Sequence, residues 1–119
     1  FQRVDEKIRH CEQLGENDSN LSRKAQQNLA MYMKQQVVIE AGKYYEALLG
    51  VGRLNEAQKL ARRVIQFDPS PIAFTTLLQH AITARAYDVA REMATQAEAT
   101  LKAGELGIIR KLVSTIPSA

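Results

Sequence analysis

Apolar residues recur every three or four positions along most of the chain, which is the spacing of one face of an α-helix. The first stripe consists of Val4, Ile8, Cys11 and Leu14. Gly15 follows it, and because glycine commonly ends helices, the stripe predicts a first helix over about residues 2 to 14. The polar turn at residues 16–20 then offers Ser19 or Asn20 as the cap of the next helix.

A second, longer stripe begins at Leu21 and contains no proline. It continues through Ala25, Leu29, Tyr32 or Met33, Val37, Ala41, Tyr44 and Leu48. The stripe is consistent with one helix to about Leu49 or with two helices that meet between Gln35 and Val38. It keeps its phase through that region, and Gly42 costs only about 1 kcal/mol relative to alanine. The pattern therefore favours the single long helix.

Three further helices and a short terminal one follow, separated by clear turn signals. Gly50 and Gly52 break the long stripe, and Ser70 before Pro71 is a typical helix start. The turn at residues 84–86 has no glycine, and Asp88 is the expected cap there. The stripes are Ala57, Leu60, Ala61, Val64 and Ile65; Phe74, Leu77, Leu78, Ala81 and Ile82; Val89, Met93, Ala97 and Leu101; and Leu106, Ile109, Leu112, Val113 and Ile116.

One short pattern occurs twice, at residues 52–57 and 85–90, so that Ala57 and Ala90 are 33 positions apart. Periods of this length with helical hydrophobicity are typical of stacked helix hairpins. Small residues would allow close helix crossings, namely Ala57, Ala61, Ala90, Ala94 and Ala97, and larger ones would fill the space between helices, namely Leu60, Val64, Phe74, Leu77 and Met93. The chain is therefore predicted to be all-α, an antiparallel helix-hairpin array with N-terminal helices and a C-terminal capping helix.

Residues 38–103 resemble two tetratricopeptide (TPR) repeats. The first copy matches the family pattern at Ala41, Tyr44, Leu48, Gly52, Leu54, Ala57 and Pro69, and the second at Phe74, Leu77, Ala81, Tyr87, Ala90 and Ala94. The second copy lacks the turn glycine and the closing proline. The length of 119 residues predicts one domain over residues 1–119. The resemblance implies a TPR-like α-solenoid fragment in 38–103, and the stripes on either side predict N-terminal helices in 1–37 and a capping helix in 105–116. Since the chain begins at Phe1, it is expected to be part of a longer protein.

The TPR resemblance also implies a concave surface that binds a protein or peptide segment. The positions that match family contact positions are Ile39, Gly42, Lys43, Glu46 and Leu49 in the first repeat and Ile72, Thr75, Thr76, Gln79 and Thr83 in the second. We predict partner binding at Lys43, Glu46, Thr75, Thr76, Gln79 and Thr83. The threonines and Gln79 can form hydrogen bonds with an extended backbone. Only Lys43 lies near a position of the family's carboxylate clamp, so a receptor for peptide C-termini is disfavoured.

Composition and charge leave one alternative partner class open. Apolar residues make up 45% of the chain and the formal net charge is +3. Lys59, Arg62 and Arg63 share one helix face, which could contact nucleic acid or an acidic protein. Glu56 is expected to pair with Lys59, and no aromatic residue interrupts the basic face for base stacking. A solvated face is therefore the favoured interpretation, and nucleic acid is a disfavoured partner. Tyr32, Tyr44 and Tyr45 are interpreted as core residues.

No residue pattern predicts catalysis, a metal or a cofactor. His10 and Cys11 point about 100° apart on a helix and do not form a nucleophile pair by adjacency. His80 has no companion at metal-ligand spacing. The chain is thus predicted to be a non-catalytic interaction or scaffolding module, with an accessory domain of an enzyme as a third alternative. The single Cys11 is compatible with a reducing compartment, no apolar run predicts a membrane span, and self-association stays open.

Overall fold

The computed structural model describes residues 2–17 and 23–117, and side chains at 3–10 and 23–117. Over these ranges the chain is helical, with 84% helix, six α-helices and no strand. The helices are α1 (Gln2–Asn17), α2 (Arg23–Gly50), α3 (Leu54–Phe67), α4 (Pro71–Thr83), α5 (Tyr87–Thr100) and α6 (Gly107–Val113), with a 3₁₀ turn at Ala103–Glu105. The all-α prediction is confirmed. The chain divides into two compact units, Phe1–Ala41 and Gly42–Ala119, which are described separately.

The first unit contains α1 and the first part of α2. Val4 and Ile8 are buried, as their stripe predicted. On the polar side, the Glu40 carboxylate of α2 accepts a hydrogen bond from Lys7 Nζ and lies 3.7 Å from Arg3 Nε. The prediction that Gly15 ends the first helix is wrong, because α1 continues to Asn17. A single glycine costs a helix only about 1 kcal/mol. The expected caps Ser19 and Asn20 lie outside the described residues.

Helix α2 is continuous from Arg23 to Gly50, so the single-helix interpretation is confirmed. Its buried positions near the C-terminal end are Ala41, Tyr45, Leu48 and Leu49. The prediction was wrong by one residue at Tyr44, which is exposed while Tyr45 is fully buried. Tyr32 is exposed too, so only one of the three tyrosines is a core residue. Spacings of three and of four both fit a helical stripe, and the sequence could not choose between the adjacent tyrosines.

In the second unit, α4 contacts α3, α5 and α6, and it packs most extensively against α5. Its own buried residues are Ala73, Phe74, Leu77, Leu78 and Ala81. The alanines predicted at close crossings, Ala57, Ala61, Ala90, Ala94 and Ala97, are all buried, as are the predicted space-filling residues Leu60, Val64, Phe74, Leu77 and Met93. These core predictions are confirmed, and α4 is the central helix of the unit.

The turns α2–α3 and α4–α5 share one backbone geometry. In the first, Gly52 has φ 79° and Arg53 N donates to Leu48 O at 2.9 Å. In the second, Arg85 has φ 59° and Ala86 N donates to Ala81 O at 3.0 Å. Both turns also contain the shorter bond of a Schellman motif, in which a left-handed residue ends the helix. The 33-residue repeat of the sequence is therefore a repeat of backbone conformation.

The helix starts differ in how they are capped. Ser70 Oγ accepts a hydrogen bond from Ala73 N at 3.2 Å, directly before Pro71, as predicted. The prediction that Asp88 caps α5 is wrong. The cap position is Ala86, which makes no side-chain bond, and Asp88 lies inside the helix, where its Oδ1 accepts from Arg91 Nη1 at 3.2 Å. The left-handed residue Arg85 starts α5 two residues earlier than the Asp88 cap required.

The C-terminal segment packs on α4 and α5 through α6. Leu106 and Ile109 are buried, as their stripe predicted, while Leu112 and Val113 are half-buried. Two polar contacts fix the segment to α5. Arg110 Nε lies 3.6 Å from Glu98 Oε1, and Arg91 Nη2 donates to Pro117 O at 2.7 Å. Residues 106–117 are therefore an integral part of the second unit.

Candidate functional site

Helices α2 and α4 approach each other closely at Gly42, which has no side chain to separate them. A Cβ atom added to Gly42 would lie 2.6 Å from Cδ2 of His80 and 3.0 Å from Cγ2 of Thr76. The first of these distances is shorter than any real Cβ contact, so the His80 ring occupies the space that an alanine would need. Gly42 is therefore the residue that lets the α4 side chains lie against α2.

One turn further along α2, Glu46 binds the same imidazole. Its Oε1 lies 2.9 Å from His80 Nδ1, which is hydrogen-bond distance. Both side chains are partly accessible, so the pair lies at the edge of the core and not within it. Gly42 and Glu46 thus hold the His80 ring from two sides, the first by contact and the second by a hydrogen bond. This arrangement fixes the orientation of a polar ring at the surface of the unit.

A surface depression opens beside this pair. It has a volume of about 390 Å³, within the range of pockets that hold small ligands or side chains. Its lining consists of Glu46, Gln79, His80, Ile82, Thr83 and Leu112. Helices α2, α4 and α6 therefore contribute to one site. The depression combines a carboxylate, an imidazole, an amide and a hydroxyl with two aliphatic side chains.

Three of the six residues predicted to bind a partner line this depression, namely Glu46, Gln79 and Thr83. Lys43, Thr75 and Thr76 do not line it, although Lys43 is exposed and the two threonines are half-buried. Thr76 contacts the site indirectly, since its methyl group lies against Gly42. Thr83 Oγ1 donates to the backbone oxygen of Gln79 at 2.9 Å, which leaves the hydroxyl oxygen as an acceptor.

Sequence reasoning missed His80, Ile82 and Leu112 as members of the site. The sequence offers His80 only as a possible metal ligand, whereas its partner in the structure, Glu46, lies 34 positions earlier in the chain. Leu112 was predicted only as part of a cap, yet it also forms a wall of the depression. The one available signal was Gly42, because a glycine within an unbroken helical stripe often marks a close approach of another element.

The basic face of α3 is less uniform than its sequence suggests. Lys59 and Arg62 are exposed, whereas Arg63 is half-buried and takes part in another interaction. Glu56 Oε1 lies 3.8 Å from Arg53 Nη1, so the expected pairing of Glu56 with Lys59 is replaced by one with Arg53. Two exposed cations on one face are a small electrostatic footprint for a polyanion. The structure thus offers no stronger argument for nucleic acid than the sequence did.

Among the residues that the structure describes, no group of three or more histidine, cysteine or carboxylate side chains is placed to hold a metal ion. The side chain of Cys11 lies outside the described set, so its predicted separation from His10 stays a prediction. Within the same residues, no helix is both long and apolar enough to cross a bilayer.

Comparison with known proteins adds no relative: no protein-family model, no curated protein and no solved structure matches the chain.

Proposed function

We propose that this chain is a non-catalytic protein-interaction module in which residues 38–103 form two TPR-like repeats. The proposal rests first on the repeated turn, whose left-handed residue, hydrogen bonds and following buried alanine recur with the 33-residue period. Stacked hairpins of this kind generally act by presenting a surface to a partner. The family pattern of residues 38–103 agrees with that geometry.

The observation that carries the proposal is the depression on α2, α4 and α6. It brings Glu46, Gln79 and Thr83, chosen as partner contacts on the family pattern, into one site. In the proposed complex an extended segment crosses the depression and its amide groups form hydrogen bonds with Gln79 and Thr83. An aliphatic side chain of the segment packs between Ile82 and Leu112. Lys43, which is exposed beyond the depression, contacts the segment further along.

Peptides selected from a random library on the parent chain provide the probe. The double variant Gln79→Arg with Thr83→Arg fills and charges the depression, and both positions are exposed, so the fold tolerates the change. The matched control, Lys59→Glu with Arg62→Glu, alters two exposed residues of the basic face of α3. Selected peptides are expected to lose binding to the first variant and to keep it for the control.

The opposite pattern would overturn the proposal in favour of an adaptor that uses the basic face. Binding to that face would also weaken steeply with salt, because contacts to acidic partners are screened. Failure to select any peptide above background would contradict the proposal as well.

A further inference from the structure

The depression on α2, α4 and α6 is lined by one carboxylate and by no lysine or arginine. The carboxylate belongs to Glu46, whose partner is the His80 imidazole. Lys43 lies three residues earlier on α2, but within the described part of the chain no lysine or arginine forms an ion pair with Glu46. The negative charge at the wall of the depression is therefore not neutralised by a basic side chain of this protein.

The hydrogen bonds within the lining engage its donors and leave acceptors. A carboxylate can only accept, so His80 Nδ1 carries the proton and donates to Glu46 Oε1 at 2.9 Å. The hydroxyl proton of Thr83 is likewise engaged, because Oγ1 donates to the backbone oxygen of Gln79 at 2.9 Å. The Glu46 carboxylate has room for several donors, and the Thr83 oxygen can still accept. The site is thus suited to a group that donates hydrogen bonds.

The remaining walls of the depression are aliphatic. Ile82 of α4 and Leu112 of α6 are both half-buried and line it. A well-matched occupant therefore combines an apolar chain with a head that donates hydrogen bonds and carries positive charge. Among protein side chains, lysine and arginine have this structure, since their methylene chains pack on apolar surfaces and their heads have donors and no acceptor.

We propose that the segment bound in this depression carries a lysine or arginine whose cationic head donates hydrogen bonds to the Glu46 carboxylate and the Thr83 hydroxyl oxygen. Its methylene chain packs between Ile82 and Leu112. This inference rests on the proposed function and names the side chain that the site selects. The whole chain has a formal net charge of +3, so general electrostatic attraction does not favour a basic segment. A preference for lysine or arginine must therefore come from the depression.

Selection from a random peptide library, carried out in parallel on the parent chain and on Glu46→Gln, provides the first test. Glutamine retains an oxygen that accepts from His80 Nδ1, so this variant removes the charge and preserves the hydrogen bond. Peptides selected on the parent are expected to share a lysine or arginine at one position, and peptides selected on the variant are expected to lack it. The matched control, Glu56→Gln, neutralises an exposed carboxylate of α3 that does not line the depression, and it should select the same basic residue as the parent.

A second test changes the peptide. One selected peptide is resynthesised with its basic residue replaced by a neutral analogue of similar shape, citrulline for arginine or acetyl-lysine for lysine. Calorimetric titration at pH 8, where imidazole groups are neutral, measures its Kd. The analogue should bind the parent roughly three- to tenfold more weakly, between the effect of an exposed ion pair and that of a hydrogen bond to a charged group. It should lose little more on Glu46→Gln, because both changes remove the same interaction.

The inference is overturned if the selected peptides show no enrichment of lysine or arginine, if the neutral analogue binds the parent as tightly as the basic peptide, or if Glu46→Gln binds the basic peptide as tightly as the parent does. In each of these cases, loss of binding to the variant Gln79→Arg with Thr83→Arg would still support the proposed function. Selected peptides that keep their affinity for that double variant would contradict the proposed function and this inference together.

Discussion

The two helix pairs of the second unit, α2 with α3 and α4 with α5, are joined by turns of the same geometry but different sequence. The N-cap residues directly before α3 and α5 have nearly identical dihedral angles, φ −84° and ψ 65° at Arg53 and φ −86° and ψ 69° at Ala86. The left-handed position before them is glycine in one turn and arginine in the other. Both turns are followed by a buried alanine, Ala57 or Ala90, four residues after the N-cap residue. The backbone repeat therefore tolerates the loss of its glycine.

The pairs also differ at two positions 33 residues apart on α2 and α4. Tyr45 corresponds to Leu78, and both are fully buried, but only the tyrosine places a hydroxyl in the core. Gly42 corresponds to the half-buried Thr75, and only the glycine makes room for His80. Gly42 and Tyr45 are thus two positions at which the first pair departs from the second.

The largest effect is expected when Tyr45 ionises. Burial, and after it the negative charge of Glu92, raises its folded-state pKa to about 12 from an ordinary value of 10.0, so the folded state holds the proton more tightly. That stability is complete below pH 10 and is lost as the pH rises towards 12. It amounts to about 2 to 3 kcal/mol at 1.36 kcal/mol per pH unit.

The free energy of unfolding of Tyr45→Phe, measured in urea, should not fall between pH 10 and pH 12, because phenylalanine has no hydroxyl to ionise. The Tyr44→Phe variant should show the same alkaline fall as the parent. At neutral pH the Tyr45→Phe variant is expected to be at least as stable as the parent, because it lacks the buried Tyr45 hydroxyl, which has no hydrogen-bond partner among the described residues. An alkaline slope identical in the parent and in Tyr45→Phe would contradict this account of the buried tyrosine.

A smaller loss of stability is expected from overpacking at Ala57 and Ala90, and it tests whether the two helix pairs are equivalent. Ala57→Leu and Ala90→Leu each insert a larger side chain at a fully buried position, and overpacking of this kind costs about 1 to 3 kcal/mol. Because the two alanines occupy the same place in the repeat, the losses should be similar. Thermal denaturation of both variants measures them. If either variant melts like the parent, its alanine does not lie at a tight crossing.

The third effect concerns Gly42, the residue that lets α4 approach α2. Glycine to alanine within a helix normally stabilises by roughly 0.5 to 1 kcal/mol. At Gly42 the added methyl group would meet the His80 ring and break its bond to Glu46, so we expect a net loss of about 1 to 2 kcal/mol. Gly50→Ala is the control, since nothing lies within 4 Å of that position. A gain in both variants, measured by urea unfolding, would show that His80 moves aside freely.

The smallest effects are expected at the turns, with opposite signs. Gly52→Ala places a Cβ at φ 79° and should destabilise by about 1 kcal/mol. Arg85→Gly relieves the same strain at φ 59° and should stabilise by roughly 0.5 to 1 kcal/mol. Differential scanning calorimetry resolves both changes. If both variants are destabilised, or both are stabilised, the left-handed conformation does not carry the same strain in the two turns.

Much of the second unit follows from hydrophobic spacing, because α3, α4 and α5 bury most of the stripe that the sequence shows for each of them. The stripe of α2 was predicted less well, since Leu29, Tyr32 and Tyr44 are exposed. The continuous helix α2, the Ser70 cap with Pro71 and the buried alanines were all predicted correctly. The errors have local causes. Gly15 does not end α1 because one glycine is a weak helix breaker, and Asp88 does not cap α5 because the left-handed Arg85 starts the helix earlier.

The candidate site was less accessible to sequence reasoning. The TPR-like positions indicated Glu46, Gln79 and Thr83, but the pairing of Glu46 with His80 joins residues 34 positions apart and has no sequence signal. The same holds for Leu112, which reaches the depression only because α6 folds back onto α4. Tyr44 and Tyr45 are adjacent, and only packing decides which hydroxyl is buried.

The most direct test of the account is NMR mapping of a library-selected peptide on the isotopically labelled chain. We expect the chemical-shift changes and intermolecular contacts to concentrate at the residues that line the depression, namely Glu46, Gln79, Ile82, Thr83 and Leu112. Contacts concentrated at Lys59 and Arg62 would contradict it and assign binding to the basic face of α3.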